Sequence, residues 1–229
     1  MRGSGGVRPR CRHGPGPALL EAYGIPLARE GIAASPDEAL ARAEEIGFPV
    51  AVKAIVPSLL HKGEAGGVIL ALRDPGELRE ACRALRARFP AARLLIQEQV
   101  GPGLELIVGG RQDPGFGPVA LVGLGGVLAE GLREVTLRLA PLAPGEAQAM
   151  LEEGRLAGLL AGGRGVPPAD PKVVAAVIEA VGELLRAHPD VRELDLNPLI
   201  VSGGQAVVVD ALVIAGRPER EDTGRREGS

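Results

Sequence analysis

Apolar and polar positions divide the chain into helical and extended stretches punctuated by glycine and proline. Ala18 to Tyr23 predicts a short helix stopped by Gly24 and Pro26. Ser35 reads as an N-cap, with Pro36 first in the helix, Glu38 three residues after the cap, and Ala39, Ala43 and Ile46 on one side. Gly47 ends that helix. Phe48 to Val56 predicts a strand, Pro57 to Gly67 a loop, and Val68 to Leu72 a second strand. Asp74 and Pro75 open a helix through Leu78, Cys82 and Leu85 to about Arg88, and a strand from Arg93 to Val100 follows.

Beyond this point short strands alternate with glycine turns: Leu104 to Arg111, Gly117 to Leu124 and, after a loop around Gly125 and Gly126, Leu137 to Leu139. Helices are expected over Pro144 to Leu160 and Pro171 to Ala187. A hairpin closes the pattern, Val191 to Val201 and Gln205 to Ile214 about a turn at Gly203 and Gly204. Helices alternating with partly hairpin-connected strands predict an α+β fold in two lobes rather than a doubly wound parallel sheet.

Composition narrows the function. The 229 residues suffice for one core or two small lobes, and 45% apolar with 24% charged residues excludes wholesale disorder. Tyr23, Phe48, Phe89 and Phe116 are the only aromatic residues, so the core must be aliphatic and platforms for base stacking are scarce. The net charge of −3 comes without a basic stripe, which argues against nonspecific nucleic-acid binding. Two cysteines, Cys11 and Cys82, make neither a disulfide scaffold nor a zinc site and fit reduced thiols in a cytoplasmic protein. No stretch reaches the length of a membrane span, and the opening MRGSGGVRPRCRHGPGP lacks the apolar segment of a signal peptide.

The hairpin is the most informative piece of geometry. A two-residue turn at Gly203 and Gly204 sets Ser202 opposite Gln205 and therefore Asn197 opposite Asp210, with Cβ atoms roughly 5 Å apart. A carboxylate and an amide oxygen converging in this way suit a hard cation such as Mg²⁺, and Asp195 adds charge on the same side. Equally open is a bend or bulge at Asn197 and Pro198, with Asp210 an ordinary strand residue. Lys53, inside the apolar run FPVAVKAIVP, is either a solvated lysine or a charge aimed at a polyphosphate. The run HKGEAGG offers His61, Lys62, Gly66 and Gly67, whose amides and charge could meet a phosphate, or it is a plain glycine turn. It is not a Walker A motif. Ser58 lacks a nucleophile elbow, so an acyl-transfer triad is not expected; if His61 does chemistry, its imidazole serves as nucleophile or proton carrier.

The runs AYGIP, EEIGFPVAVKAIVPSLLHKGEAGGVIL, LIQEQVGPGLELIVGGRQDPGFGPVALVGLGG, GRGVPPAD and ELDLNPLIVSGGQAVVVDA closely resemble the ATP-grasp domain of ADP-forming acyl-CoA synthetases. The resemblance is strongest to the separate β subunit of ADP-forming acetate–CoA ligase, a relative of the succinyl-CoA synthetase β chain. It implies an ATP-grasp fold whose two α+β lobes hold nucleotide between them, with a disordered lead-in over residues 1–17, a small lobe over 18–96, a large lobe over 97–214 and a flexible tail over 215–229.

By the same resemblance Lys53 contacts the nucleotide phosphates, and Gly66 and Gly67 form a flap over them. Gln97 to Val100 line the adenine pocket, Glu98 is an adenine-side contact, and Glu105 accepts from the ribose. Asn197 and Asp210 match the family's Mg²⁺ ligands, in agreement with the hairpin reading, and Arg138 assists with phosphate. His61 matches a histidine that relays a phosphoryl group.

The implied cofactors are ATP/ADP and Mg²⁺. The implied reaction converts acyl-CoA, phosphate and ADP to free acid, CoA and ATP. No dinucleotide-type fingerprint is present, so a CoA-binding α subunit is the expected partner, in an α2β2 assembly, and handles most of the acyl-CoA or carboxylic acid substrate. The sequence departs from the pattern at Glu134, where the family usually has Asp, and in a shortened N-terminal helix. The alternatives are a stand-alone ATP-grasp carboxylate ligase and a non-catalytic ATP-binding regulatory partner.

Overall fold

The computed structural model describes residues 10–11, 15–55, 67–126, 134–163 and 168–216. They fall into two compact units, Ala28–Gly101 and the combination of Met1–Leu27 with Pro102–Ser229.

The smaller unit is a four-stranded antiparallel sheet, with β2 (Glu30–Ala33), β5 (Arg93–Glu98), β3 (Val50–Ile55) and β4 (Val68–Leu72) in that order. Two helices, α2 (Pro36–Ile46) and α3 (Pro75–Arg88), start where their caps dictate. Ser35 Oγ accepts from Glu38 N–H at 3.1 Å, while Glu38 Oε2 accepts from Ala34 N–H at 2.8 Å, one residue earlier than a standard capping box. Asp74 Oδ1 accepts from the amides of Gly76 and Glu77. Ala39, Ala43, Leu78, Cys82 and Leu85 pack with Val50, Val52, Leu94 and Ile96 on one face of the sheet. Burial raises the Cys82 thiol pKa, with Arg86 partly opposing the shift.

The larger unit is a sheet ordered β1 (Arg10–Cys11), β11 (Ala211–Ala215), β9 (Val191–Ser202), β6 (Leu104–Asp113), β7 (Gly117–Leu124) and β8 (Val135–Leu139), with β10 (Gln205–Val208) also on β9. Its principal helix is α6 (Pro171–Ala187), capped by Asp170 Oδ1 on Lys172 N–H at 2.9 Å. Val174, Ile178, Val181 and Leu185 recur at helical spacing and pack into the sheet's core. In the short helix α1 (Pro15–Ala22), Leu20 is fully buried in the same core. Among the described residues no helix is long and apolar enough to cross a membrane.

The structure departs from the sequence expectations in four places. Residues Arg10 and Cys11 pair with β11 and α1 begins at Pro15, so the lead-in over 1–17 is not uniformly disordered. The break between units falls after Gly101 rather than after residue 96, because β5 keeps Gln97 and Glu98 in the smaller sheet. Residues through Leu27 join the larger unit, where Leu20 and Ile25 find their core. The helix expected over Pro144 to Leu160 is two, α4 (Glu146–Glu152) and α5 (Leu156–Leu160), separated by a turn at Gly154. Glu134 holds that turn: its Oε2 accepts from Arg155 N–H at 3.2 Å.

Candidate functional site

In the larger unit, β9 decides what its hairpin can do. Leu194 and Leu196 are buried, then Leu199 and Val201, so the buried phase shifts by one residue at Asn197 and Pro198. The pairing with β6 shifts at the same level, from Val108↔Leu196 to Leu106↔Leu199, as a bulge requires. The opposing strand shifts in step, from buried Ala206 and Val208 to buried Val213. The hairpin register therefore stays continuous, from Gln205↔Ser202 through Val208↔Leu199 to Ala211↔Leu196 and Leu212↔Asp195.

Asn197 thus faces Asp210 across the hairpin, as the turn count predicts, and its N–H donates to Asp210 O at 2.9 Å. The bulge and the facing pair, which the sequence left as alternatives, occur together. Asp195 and Asp210 are half-buried and Asn197 is exposed. Among the described residues no three His, Cys, Asp or Glu side chains group as a metal cluster. A donor set of one carboxylate and one amide oxygen nonetheless fits Mg²⁺, which keeps several waters and shares phosphate oxygens rather than sitting in an all-protein cage.

Glu105 on β6 is exposed, paired with Ile200, and backed by the turn after β7, where Gly125 N–H donates to Glu105 O at 2.9 Å. Farther along the same unit a cavity of about 740 Å³ is lined by Ile107, Leu121 and Leu137 with Arg111, Glu193 and Asp195. Phe116, Leu137 and Leu139, which also line it, are exposed. Arg138 is committed elsewhere: its guanidinium pairs with Glu153 and donates to Leu137 O at 2.8 Å. That engagement argues against Arg138 as a phosphate ligand.

In the smaller unit Lys53 sits on the central strand β3, paired with Leu95 and Val68, and is half-buried. Gln97 is 2% exposed, and its Nε2 donates to Glu30 Oε2 at 2.8 Å. The Glu98 side chain, expected on the adenine side, is engaged within the smaller unit. Its Oε2 accepts from Arg29 Nε at 2.8 Å and from Arg29 N–H at 3.2 Å, so the carboxylate clasps the entry to β2 rather than standing open to a base. Val100 is half-buried and its carbonyl accepts from Gln99 Nε2 at 3.4 Å. Gly67 O accepts from Ala54 N–H at 2.7 Å, tying the start of β4 to β3. His61, Lys62 and Gly66 lie outside the described residues.

Gln99 lies within the segment expected to line the adenine pocket, but the sequence did not show its partner: its Oε1 accepts from Ala71 N–H at 3.1 Å. Ala71 has φ 57°, a left-handed value uncommon outside glycine, at an irregularity where the register passes from Val50↔Leu72 to Val52↔Ile69. No local motif announces such a contact between residues 28 positions apart.

The two α+β lobes and their antiparallel sheets define an ATP-grasp protein, and residues 14–214 match the family model described as an ATP-grasp domain. The chain is 40% identical over 206 residues to the β subunit of ADP-forming acetate–CoA ligase II of Pyrococcus furiosus, covering 86% of this chain and 87% of that one. It is 41% identical over 205 residues to ADP-forming acetate–CoA ligase I of Archaeoglobus fulgidus, covering 86% of this chain but spanning only 30% of that longer protein.

Among solved structures, the dinucleotide-forming acetyl-coenzyme A synthetase 1 of Ca. Korarchaeum cryptofilum with coenzyme A, Ca-AMPCP and HgCl⁺ superposes with a TM-score of 0.82 at 37% identity, covering 87% of this chain and 90% of that one. Another structure of the same protein holds coenzyme A and Mg-AMPPCP, with a phosphohistidine segment pointing towards the nucleotide binding site; its TM-score is 0.77 at 37% identity, over 86% of this chain and 88% of that one. The chain belongs to the ATP-grasp family, in the group formed by the β subunits and β portions of ADP-forming acetate–CoA ligases.

Proposed function

We propose that this chain is the nucleotide-binding β subunit of a cytoplasmic ADP-forming acyl-CoA ligase that works with a CoA-binding α subunit, in an α2β2 assembly. The observation that carries this reading is the placement of Asn197 opposite Asp210, with Asp195 beside them, in a chain of this family. The Korarchaeum relative, with its bound nucleotide analogue, metal and coenzyme A, supports it.

Each residue then has a chemical task. Asp210 and Asn197 hold Mg²⁺, which when bound neutralises phosphate charge as it develops. Lys53 supplies a fixed positive charge to the nucleotide phosphates. Glu105 accepts from the ribose hydroxyls, and the segment Gln97 to Val100 lines the adenine pocket through its backbone, since the Glu98 side chain is taken by Arg29. Lys62, Gly66 and Gly67 close over the phosphates.

In the direction of ATP cleavage, a His61 ring nitrogen attacks the γ-phosphorus. The N–P bond forms as the bond to the bridging oxygen breaks, and ADP leaves. The phosphoryl group then passes to the α subunit's site, where acid and CoA are joined and phosphate is released. Histidine transfer divides one difficult step into two in-line ones.

The test is acid-labile labelling of this chain by γ-labelled ATP and Mg²⁺ in the presence of its α subunit. Label on wild type that is lost in His61→Ala supports the relay. ATP binding without label, with a competent partner present, contradicts it.

A further inference from the structure

The turn that leaves β7 lies against β6 with two successive glycines, and the second shapes the seat of Glu105. Gly125 N–H is bonded to Glu105 O at 2.9 Å, which pins the turn to the strand backbone. A Cβ on Gly125 would fall 2.9 Å from Leu106 C and 3.0 Å from its carbonyl oxygen, so the turn backbone lies directly on β6. Gly126 has φ +59°, and a Cβ there would fall 2.1 Å from Glu105 Oε2 and 3.0 Å from Glu105 Cδ. The Glu105 carboxylate therefore occupies the space that a side chain at position 126 would fill. Because the obstructing atoms end a flexible side chain on an exposed residue, a Cβ at 126 would turn the carboxylate aside rather than displace the strand.

We propose that Gly126 is a specificity-positioning residue: by lacking a Cβ it keeps open the seat from which Glu105 reads the ribose hydroxyls, and so sets the preference for ribonucleotides over deoxyribonucleotides. The inference deepens the ribose reading of Glu105 and rests on it. A carboxylate is an acceptor with two oxygens, suited to the vicinal hydroxyls of a ribose. A 2′-deoxynucleotide offers one donor fewer. A site built to pair a hydroxyl discriminates against the analogue that lacks it, because a charged acceptor is left without its donor. A glycine that served the turn alone would, when replaced, weaken both nucleotides by the same factor and leave their ratio intact.

The experiment is isothermal titration of the full chain with Mg²⁺ and either ATP or 2′-deoxyATP. The proteins are wild type, Gly126→Ala, Gly126→Asn, Glu105→Gln and the double variant Gly126→Ala/Glu105→Gln. Asparagine tolerates a left-handed backbone yet carries the same Cβ, so it separates collision from strain and keeps the test open if the alanine variant fails to fold.

The expected preference for ATP is roughly tenfold in wild type, falling to within about threefold in both Gly126 variants and in Glu105→Gln. The double variant should lose no more than Glu105→Gln alone, since both act through one carboxylate. A wild-type ratio retained in Gly126→Asn, or losses that add fully in the double variant, overturns the inference while ATP binding stands. Equal affinity of wild type for the two nucleotides overturns it together with the ribose role of Glu105. Failure of the wild-type chain, alone and with its α subunit, to bind ATP overturns the proposed function as well.

Discussion

The two units use their polar side chains differently. In the larger one, Asn197 and Glu105 sit on the long strands β9 and β6, and Asp210 lies at the junction of β10 and β11, all backed by a core that includes Leu106, Leu194, Leu199, Ile178 and Leu185. In the smaller one the core leans on alanine, with Ala33, Ala39, Ala43, Ala54, Ala81 and Ala92 among its buried residues, and Glu98 is spent joining Arg29 to β5. Alanine buries little apolar area, so the small lobe has a thin core to which a clasp of this kind adds modestly at the edge. The lesson is that a carboxylate near a nucleotide segment is not thereby a nucleotide ligand; its partners decide.

The largest expected effect lies in the larger unit. Asp210→Ala should reduce ATP formation in the assembled enzyme by about 100-fold or more, the scale of losing a principal source of transition-state charge stabilisation, with far-UV circular dichroism unchanged. Activity within a few-fold of wild type would remove the hairpin from the site. Next comes Lys53→Met, expected to weaken ATP binding by roughly tenfold through loss of one charge-assisted contact, measured by equilibrium titration.

Glu98→Gln separates the two units most cleanly. It should lower stability by about 1 kcal/mol or less, as befits a partly exposed pair whose arginine side chain is 63% exposed, and leave ATP affinity within about twofold. Parallel denaturant melts and nucleotide titrations check this; a large loss of affinity with stability intact would restore Glu98 to the adenine site.

The smallest effect is on pH dependence. Cys82 is buried in the smaller core with its pKa raised in the folded chain. The unfolded chain therefore releases the thiol proton first, and stability falls as pH rises through the ordinary thiol value of 9.0 and on towards the raised folded one. A Cys82→Ser or Cys82→Ala comparison of melting temperature at pH 7 and pH 10 reads this out, and the wild-type protein should lose more on the alkaline step. An equal loss in variant and wild type would show that the thiol contributes nothing.

Legibility in the sequence followed the range of the interaction. The facing of Asn197 and Asp210 could be counted because Gly203 and Gly204 fix the hairpin turn and both strands shift phase at the same level. The helices α2 and α3 could be placed because Ser35 and Asp74 announce their starts. Arg29 and Glu98, by contrast, are 69 residues apart, and nothing local links them. The pairing of Arg138 with Glu153 was hidden for the same reason, across a turn that the apolar pattern over Pro144 to Leu160 did not show. The division after Gly101 depends on how far β5 pairs, which propensity alone does not fix.

The most direct test of the central claim is the Mg²⁺ dependence of ATP binding, measured by titration of wild type and Asp210→Ala with and without the metal. The account predicts that Mg²⁺ tightens ATP binding by the wild-type chain about tenfold or more, and that this gain disappears in Asp210→Ala while metal-free affinity changes little. A Mg²⁺ gain that survives unchanged in Asp210→Ala would contradict it.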